Sequence, residues 1–215
     1  MIQLVSSKTL QRLPTYLSYL KSLPDEGSIN ISAKTIADIL GLGEIQVRKD
    51  LAAISSGGKP KIGYITKDLI LNLEAFLGYN DVNDAIIIGA GKLGKALLLY
   101  NGFKDYGMNI VAAFDIDDSV IDTEESGKPI LSLNKVKDLC HRMNIRIGII
   151  TVPAEFAQTV CDVLVDSGIL AIWNFAPVHL NVPKNILIQN ENLAASLAVL
   201  SKNLIENLNK TSKER

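Results

Sequence analysis

The strongest constraint on this chain is an apolar run that passes straight into a glycine turn. Ala85-Ile86-Ile87-Ile88 leads into Gly89-Ala90-Gly91-Lys92-Leu93-Gly94, and residues 95–100 then read as helix. This is G-x-G-x-x-G with a strand before it and a helix after it, the setting that separates a phosphate-binding turn from an ordinary one. Gly89 permits a tight turn, Gly91 lets backbone N–H groups approach a diphosphate, and Gly94 lets helix and strand close up. The helix N-terminus, at Lys92 and Leu93, adds partial positive charge. A second apolar run, residues 110–114, ends at Asp115, roughly 20 residues past the third glycine. A carboxylate at that distance accepts hydrogen bonds from an adenosine ribose and repels a 2′-phosphate. The expected ligands are therefore NAD+ and NADH.

Further apolar runs, residues 147–152 and 169–173, alternate with amphipathic stretches. Apolar strands separated by helical patterns describe βαβ units around a parallel sheet. The loops after these runs, Thr151-Val152-Pro153-Ala154 and Asn174-Phe175-Ala176-Pro177, fall where a parallel sheet places its ligand cleft. Val152, Pro153, Asn174 and Phe175 are either cofactor contacts or plain connecting turns. Trp173 reads as core, and His141 and His179 read as surface residues.

Residues 1–80 follow a different grammar, polar and helical with short elements. Ser32 is placed to cap a helix from Ala33, with Ile36, Ala37 and Leu40 inward. Gly41-Leu42-Gly43 turns the chain, and a second helix runs from Glu44 to about Ile54 on the stripe Val47, Leu51, Ile54. Lys49 lies opposite that stripe, flanked by Gln46 and Arg48. Two short helices about a glycine turn make a helix-turn-helix, whose second helix enters a major groove. After the break at Ser55-Ser56-Gly57-Gly58, Lys59-Pro60-Lys61 leads into a short strand over residues 62–65. This reads as a basic wing, with Lys59 and Lys61 directed at phosphates. Residues 30–64 hold Lys34, Arg48, Lys49, Lys59 and Lys61 against Asp38, Glu44 and Asp50, so two copies acting together are expected for tight binding.

The chain ends in a helical stretch from Glu191 to about Leu208, capped by Asn190 or Asn192. Leu193, Leu197, Leu200, Leu204 and Leu208 form one stripe, which Ala194, Ala195, Ala198 and Val199 widen. Either the helix packs on its own domain or a second subunit supplies a wall. The expected organisation is a winged-helix domain over residues 1–80, a Rossmann-type dinucleotide domain over 81–190 and a dimerisation helix over 191–215. Cys140 and Cys161 are far apart and form no C-x-x-C pair, so neither a disulfide scaffold nor a metal site is expected. No stretch reads as a secretion signal or a membrane span, and a cytoplasmic setting follows. A dehydrogenase needs an acid or base near the nicotinamide and room for substrate. No His, Lys or Tyr pair supplies the first and little chain remains for the second, so a sensor is expected rather than an enzyme. Two rivals stand beside it: an oxidoreductase with a helical cap, and a nucleotide-binding subunit that touches only protein.

The chain resembles the Rex family of redox-sensing transcriptional repressors. The resemblance is carried by Arg12-Leu13-Pro14-Thr15-Tyr16-Leu17, Gln46-Val47-Arg48-Lys49-Asp50-Leu51, Gly63-Tyr64, residues 89–94, Ala112-Ala113-Phe114-Asp115, residues 149–154 and residues 174–178. It implies a homodimer with exchanged C-terminal helices, operator binding with NAD+, and release of double-stranded DNA by NADH. Target genes would serve NADH reoxidation. By matching position, Arg48 and Lys49 would contact DNA, and Lys61 and Tyr64 would lie in the wing. Arg12 and Tyr100 would join a switch completed by the C-terminal helix of the other subunit. The chain departs from the family pattern at two places. Pro60-Lys61-Ile62-Gly63-Tyr64 stands where the family reads Arg-Gly-x-Gly-Tyr, and Asn192 stands where it has an aspartate.

Overall fold

A computed structural model describes residues 5–24, 30–55, 58–59, 62–79 and 83–213, the last three as backbone. The chain divides into two compact units, Met1–Asp81 and Val82–Arg215.

In the first unit, Ser6 caps α1 (Ser7–Lys21) by accepting from the Thr9 N–H at 3.1 Å. A two-residue strand β1 (Asn30–Ile31) follows, then α2 (Ala33–Leu40), capped by Ser32 and closed at Gly41 with φ +66°. Helix α3 (Glu44–Ala52) comes next, and its Val47 and Leu51 are buried as expected. Strand β2 (Tyr64–Ile65) pairs antiparallel with β1, and α4 (Thr66–Leu77) closes the unit. Leu13, Tyr16, Leu17 and Leu20 of α1 share one core with Ile36, Val47, Leu51, Leu69 and Leu73. Lys21 pairs with Glu74 at 2.7 Å and ties α1 to α4.

The expected strand over residues 62–65 is shorter than its apolar pattern suggests. Ile62 sits in a turn closed by reciprocal hydrogen bonds between Lys59 and Gly63, each 2.9 Å, and only Tyr64 and Ile65 join β1. Gly63 has φ +85°, and a Cβ there would stand 2.3 Å from the Ile31 carbonyl oxygen, so a side chain at this corner would break the β1–β2 pairing.

The second unit is a seven-stranded sheet between two helical layers. In chain order its elements are β3 (Asn83–Ile88), α5 (Lys92–Leu99), β4 (Met108–Asp115), β5 (Thr123–Glu125), β6 (Lys128–Ser132), α6 (Val136–Met143), β7 (Ile147–Ile150), α7 (Ala154–Asp166), β8 (Ala171–Asn174), β9 (Leu187–Asn190) and α8 (Leu193–Lys213). The order across the sheet is β5-β6-β4-β3-β7-β8-β9, and only β5 runs antiparallel. The chain winds outward from β3 in both directions, which opens a crevice beside β3 at the carboxyl ends of the strands. Ile86 and Ile88 face a core with Val136 and Cys140 of α6 and Leu164 of α7, while Ala85 and Ile87 face Leu98 of α5. Burial on both faces is why residues 85–88 of β3 are continuously apolar. The apolar runs at 147–152 and 169–173 stop and start two residues away from expectation, because residues 151–152 already turn and 169–170 still lead in.

Helix α8 starts at Leu193 rather than at Glu191, and Asn192 caps it, its Oδ1 accepting from the Ala195 N–H at 2.9 Å. Every described side chain from Asn192 to Lys210 is exposed. Leu193, Leu197, Val199, Leu200, Leu204, Ile205 and Leu208 are each at least 50% exposed, so the helix does not pack on its own unit.

Candidate functional site

The glycine turn has the geometry its sequence implies. Gly89 has φ +104°, a left-handed conformation that glycine adopts without strain. A Cβ on Gly94 would stand 1.8 Å from the Gly89 carbonyl oxygen, so α5 lies against the end of β3 only because residue 94 has no side chain. A Cβ on Gly91 would meet nothing within 4 Å. Gly91 thus leaves open space where an occupant needs it, at the N-terminus of α5. Ala90 is buried, whereas Lys92 and Leu93 are exposed on the first turn of α5.

Asp115 ends β4 and reaches across to this turn. Its Oδ2 accepts from the Ala90 N–H at 2.6 Å, and its Oδ1 accepts from the N–H groups of Ile116 and Asp117 at 2.7 and 3.0 Å. A carboxylate offers about four acceptor positions, so one on Oδ2 stays free. The Thr151 hydroxyl lies 2.8 Å from the Gly89 carbonyl oxygen and fastens the third loop to the same turn.

Gly89, Gly91, Asp115, Val152 and Pro153 line one cleft of about 390 Å³, with Ile116, Leu133, Phe156 and Val160 as further walls. That size is ordinary for a small-ligand site. Ile116 and Phe156 present exposed apolar surface beside the Asp115 carboxylate, an arrangement that suits a flat aromatic ring. An adenosine diphosphate fits these residues: base on apolar walls, ribose on Asp115, diphosphate over Gly91 and the α5 N-terminus. The wall residues Ile116, Leu133, Phe156 and Val160 are not legible as cleft residues from the sequence. Their one legible signal is that Ile116 directly follows Asp115.

Asn174 and Phe175 do not line this cleft. Asn174 is 0% exposed, and its side chain is spent inside the fold. Its Nδ2 lies within 3.2 Å of the Ala176 and Val178 carbonyl oxygens and of Asn190 Oδ1, and its Oδ1 accepts from the Ala176 N–H. It fixes the loop after β8 rather than offering a contact. Phe175 packs on Trp173 with ring centroids 4.5 Å apart. Phe103 meets Trp173 edge-on at 5.9 Å and Tyr100 at 5.0 Å, and Tyr100 is 58% exposed.

On α3, Gln46, Arg48 and Lys49 are all exposed, and Arg48 pairs with Glu44 one turn earlier. Lys59 is exposed beside the turn, and Lys61 lies outside the described residues. Tyr64, expected among the DNA contacts, is a core residue at 9% exposure. A Cβ on Gly58 would stand 2.9 Å from its ring, so Tyr64 supports the wing from beneath. Arg12 has its partner within its own unit. Its Nε lies 2.8 Å from Asp50 Oδ2 and its Nη2 lies 2.9 Å from Asp50 Oδ1. Tyr16 and Thr9 also donate to Asp50, at 2.9 and 3.1 Å. Asp50 carries no motif of its own in the sequence, although its place three residues after Val47 sets it at the edge of the inward stripe. Burial pushes the Asp50 carboxyl up, but hydrogen bonds from Arg12, Tyr16 and Thr9 outweigh it and hold the group below the usual carboxylate range. Among the described residues, no group of His, Cys, Asp or Glu is placed to hold a metal ion, and no helix is long and apolar enough to cross a membrane.

A winged helix and a doubly wound dinucleotide fold in one chain define a class, the nucleotide-responsive DNA-binding regulators. Residues 4–52 match a family described as a putative DNA-binding protein N-terminus, and residues 80–178 match one described as a CoA binding domain. The redox-sensing transcriptional repressor Rex of Porphyromonas gingivalis is 39% identical over 196 residues, which cover 91% of this chain and 90% of that one. Rex of Syntrophomonas wolfei is 42% identical over 197 residues, covering 92% and 94%. A solved structure of RSP in complex with β-NAD+ and operator DNA superposes with a TM-score of 0.89 at 35% identity, covering 99% of this chain and 98% of that one. RSP with β-NADH gives a TM-score of 0.86 at 33% identity, with 99% of each chain covered. The chain belongs to the Rex family of redox-sensing transcriptional repressors, a family of regulators rather than enzymes.

Proposed function

We propose that this chain is a cytoplasmic repressor that binds operator DNA as a homodimer and releases it when NADH replaces NAD+. The observation that carries this reading is end-to-end likeness to a protein solved with both β-NAD+ and operator DNA, and separately with β-NADH. The domain limits proposed are 1–80 for DNA, 81–190 for the dinucleotide and 191–215 for the dimer helix.

Gly89, Gly91 and Asp115 would hold the adenosine diphosphate half, with Val152 and Pro153 in the wall. When bound, the nicotinamide carries a positive charge in one redox state and none in the other, and that difference is what a sensor reads. A ligand shifts an equilibrium only by its differential affinity for the two states. Two arrangements of a dimer must therefore bind NAD+ and NADH unequally. The exposed leucine stripe of α8 supports a second subunit as its cover, since burying each leucine stabilises by about 1.5–3 kcal/mol. Arg12, Tyr100 and Asn192 would form the switch between subunits, and Arg12 must then exchange or share its present partner Asp50.

Arg48 and Lys49 would contact the operator from α3, and Lys59 and Lys61 would meet phosphates. The test is the double variant Arg48→Ala with Lys49→Ala in the full chain, against a duplex that the parent selects from a random pool. DNA affinity should fall, the salt dependence should flatten by about one unit of slope per lost phosphate contact, and NADH affinity should stay unchanged. A double variant that binds the duplex as tightly as the parent removes α3 from the interface.

A further inference from the structure

The wing and the two helices beside it enclose a basic pocket. Lys34 of α2, Arg48 of α3 and Lys59 of the wing turn line one cavity of about 420 Å³, which the buried Tyr64 also lines. These cations come from three elements held in fixed relation. Reciprocal hydrogen bonds between Lys59 and Gly63 close the wing turn. A Cβ on Gly63 would stand 3.2 Å from Ser32 Cα, so the wing corner abuts the residue that caps α2. Ile36 and Val47 share one core, which sets α3 against α2. Among the described residues, neither Lys34 nor Lys59 has an ion-pair partner. Glu44 is the one carboxylate that lines the pocket, and its Oε1 pairs with Arg48 Nη2. Three positive charges against one leave an excess of two. Like charges gathered in one concavity attract an anion.

We propose that this pocket seats one backbone phosphate of the operator, with Lys34 as a contact beside Arg48 and Lys59, and that Glu44 holds the place of that phosphate until DNA arrives. The proposal rests on α3 and the wing facing DNA. A phosphodiester carries one charge on two unesterified oxygens, which suits a guanidinium fork with ammonium groups beside it. The Glu44 and Arg48 side chains are 40% and 63% exposed, and an ion pair so open to water contributes little. A phosphate that also meets Lys34 and Lys59 can therefore draw Arg48 away from Glu44. The carboxylate left behind then faces the phosphate as a like charge, so Glu44 acts as a built-in brake on DNA affinity. Contacts to the backbone carry no base information, so the pocket sets register and strength rather than base choice.

The test is a methylphosphonate scan. Each phosphate of an operator duplex selected by the parent is replaced in turn by an uncharged analogue, and affinity of the purified full chain is measured in NAD+. In the parent, neutralising one phosphate of each half-site should weaken binding by about tenfold. Lys34→Ala should weaken binding to the unmodified duplex and flatten the salt dependence by about one unit of slope. It should feel the loss of that one phosphate far less than the parent does, and the loss of every other phosphate equally. Glu44→Gln should bind the unmodified duplex about twofold to fivefold tighter than the parent. That gain should vanish on the duplex neutralised at the same phosphate. Lys34 is exposed and Glu44 lies outside the core, so both variants keep the fold. A Lys34→Ala chain that binds like the parent, or whose loss adds evenly at every phosphate of the scan, overturns the pocket and leaves DNA binding intact. A Glu44→Gln chain that binds no tighter than the parent overturns the place-holding role of Glu44. A parent that selects no duplex overturns the DNA reading itself and this proposal with it.

Discussion

The backbone N–H of Ala90 donates to the Asp115 carboxylate at 2.6 Å, so the acid at the end of β4 also braces the glycine turn at the end of β3. Asp115→Ala should therefore do two things at once, removing the ribose acceptor and loosening the turn. A charge-assisted hydrogen bond of this kind contributes about 1.5–3 kcal/mol, so NADH affinity should fall about tenfold to a hundredfold. The parent should bind NADPH far more weakly than NADH, because Asp115 repels a 2′-phosphate. Calorimetric titration of both cofactors checks this, and equal affinity for NADH and NADPH would remove the role of Asp115.

Two glycines of the same turn should fail in different ways. A methyl group on Gly94 collides with the Gly89 carbonyl oxygen at 1.8 Å, whereas one on Gly91 meets nothing in the protein within 4 Å. Gly94→Ala should lower the melting temperature by several degrees and abolish NADH binding with it. Gly91→Ala should melt like the parent and still lose NADH, since its methyl group occupies ligand space. Paired melting curves and fluorescence titrations separate the two, and a Gly91→Ala chain with parental affinity would place the diphosphate elsewhere.

The sequence discloses this turn because its requirements are local: a strand, three glycines and an acid at a fixed distance. It hides whatever depends on a partner strand. Tyr64 looks like a wing residue until β1, only two residues long, pairs with it and draws its ring into the core. Asn174 looks like a pocket residue until β9, too short to recognise from periodicity, brings Asn190 to within 2.9 Å of it. The β5–β6 hairpin does have a signal, the Ser126-Gly127 turn with φ of +50° and +78°, but its strands are too brief to alternate visibly. Pro14 argues against a helix through residues 7–21, yet the buried stripe Leu13, Tyr16, Leu17, Leu20 outweighs one missing backbone bond.

The network around Asp50 should make the first unit sensitive at both ends of the pH scale. Asp50 is held below the usual carboxylate range, so its contribution is present above the unfolded value of about 4 and is lost as pH falls through the folded value. Burial, and then Asp50, push the Tyr16 hydroxyl up to about 12. Its contribution is intact below the unfolded value of about 10 and is lost as pH rises toward 12. Tyr16→Phe removes a donor to a buried carboxylate and should lower stability by about 1.5–3 kcal/mol at neutral pH. That deficit should shrink once Asp50 is protonated. Denaturant unfolding of parent and variant over the acid range measures it, and a deficit that stays constant through that range would contradict the account.

Asn192 already caps α8, and an aspartate there would cap it equally well. Asn192→Asp therefore adds a charge without disturbing the helix. A carboxylate from one subunit would compete with Asp50 for the partner subunit's Arg12, and charged acceptors bind about twice as strongly as neutral ones. The gap in operator affinity between NAD+ and NADH should widen in the variant, by up to about tenfold. Operator binding across a series of NADH/NAD+ ratios reads this directly, and a gap that does not change would show that position 192 is outside the switch.

The central claim is that one chain couples its dinucleotide cleft to its DNA-reading helix. The most direct measurement is operator affinity of the purified protein at one salt concentration with NAD+, with NADH and with no cofactor. The account predicts tight binding with NAD+ and an affinity lower by about fivefold or more with NADH. Equal affinity under all three conditions, with both cofactors shown by calorimetry to be bound, would contradict it.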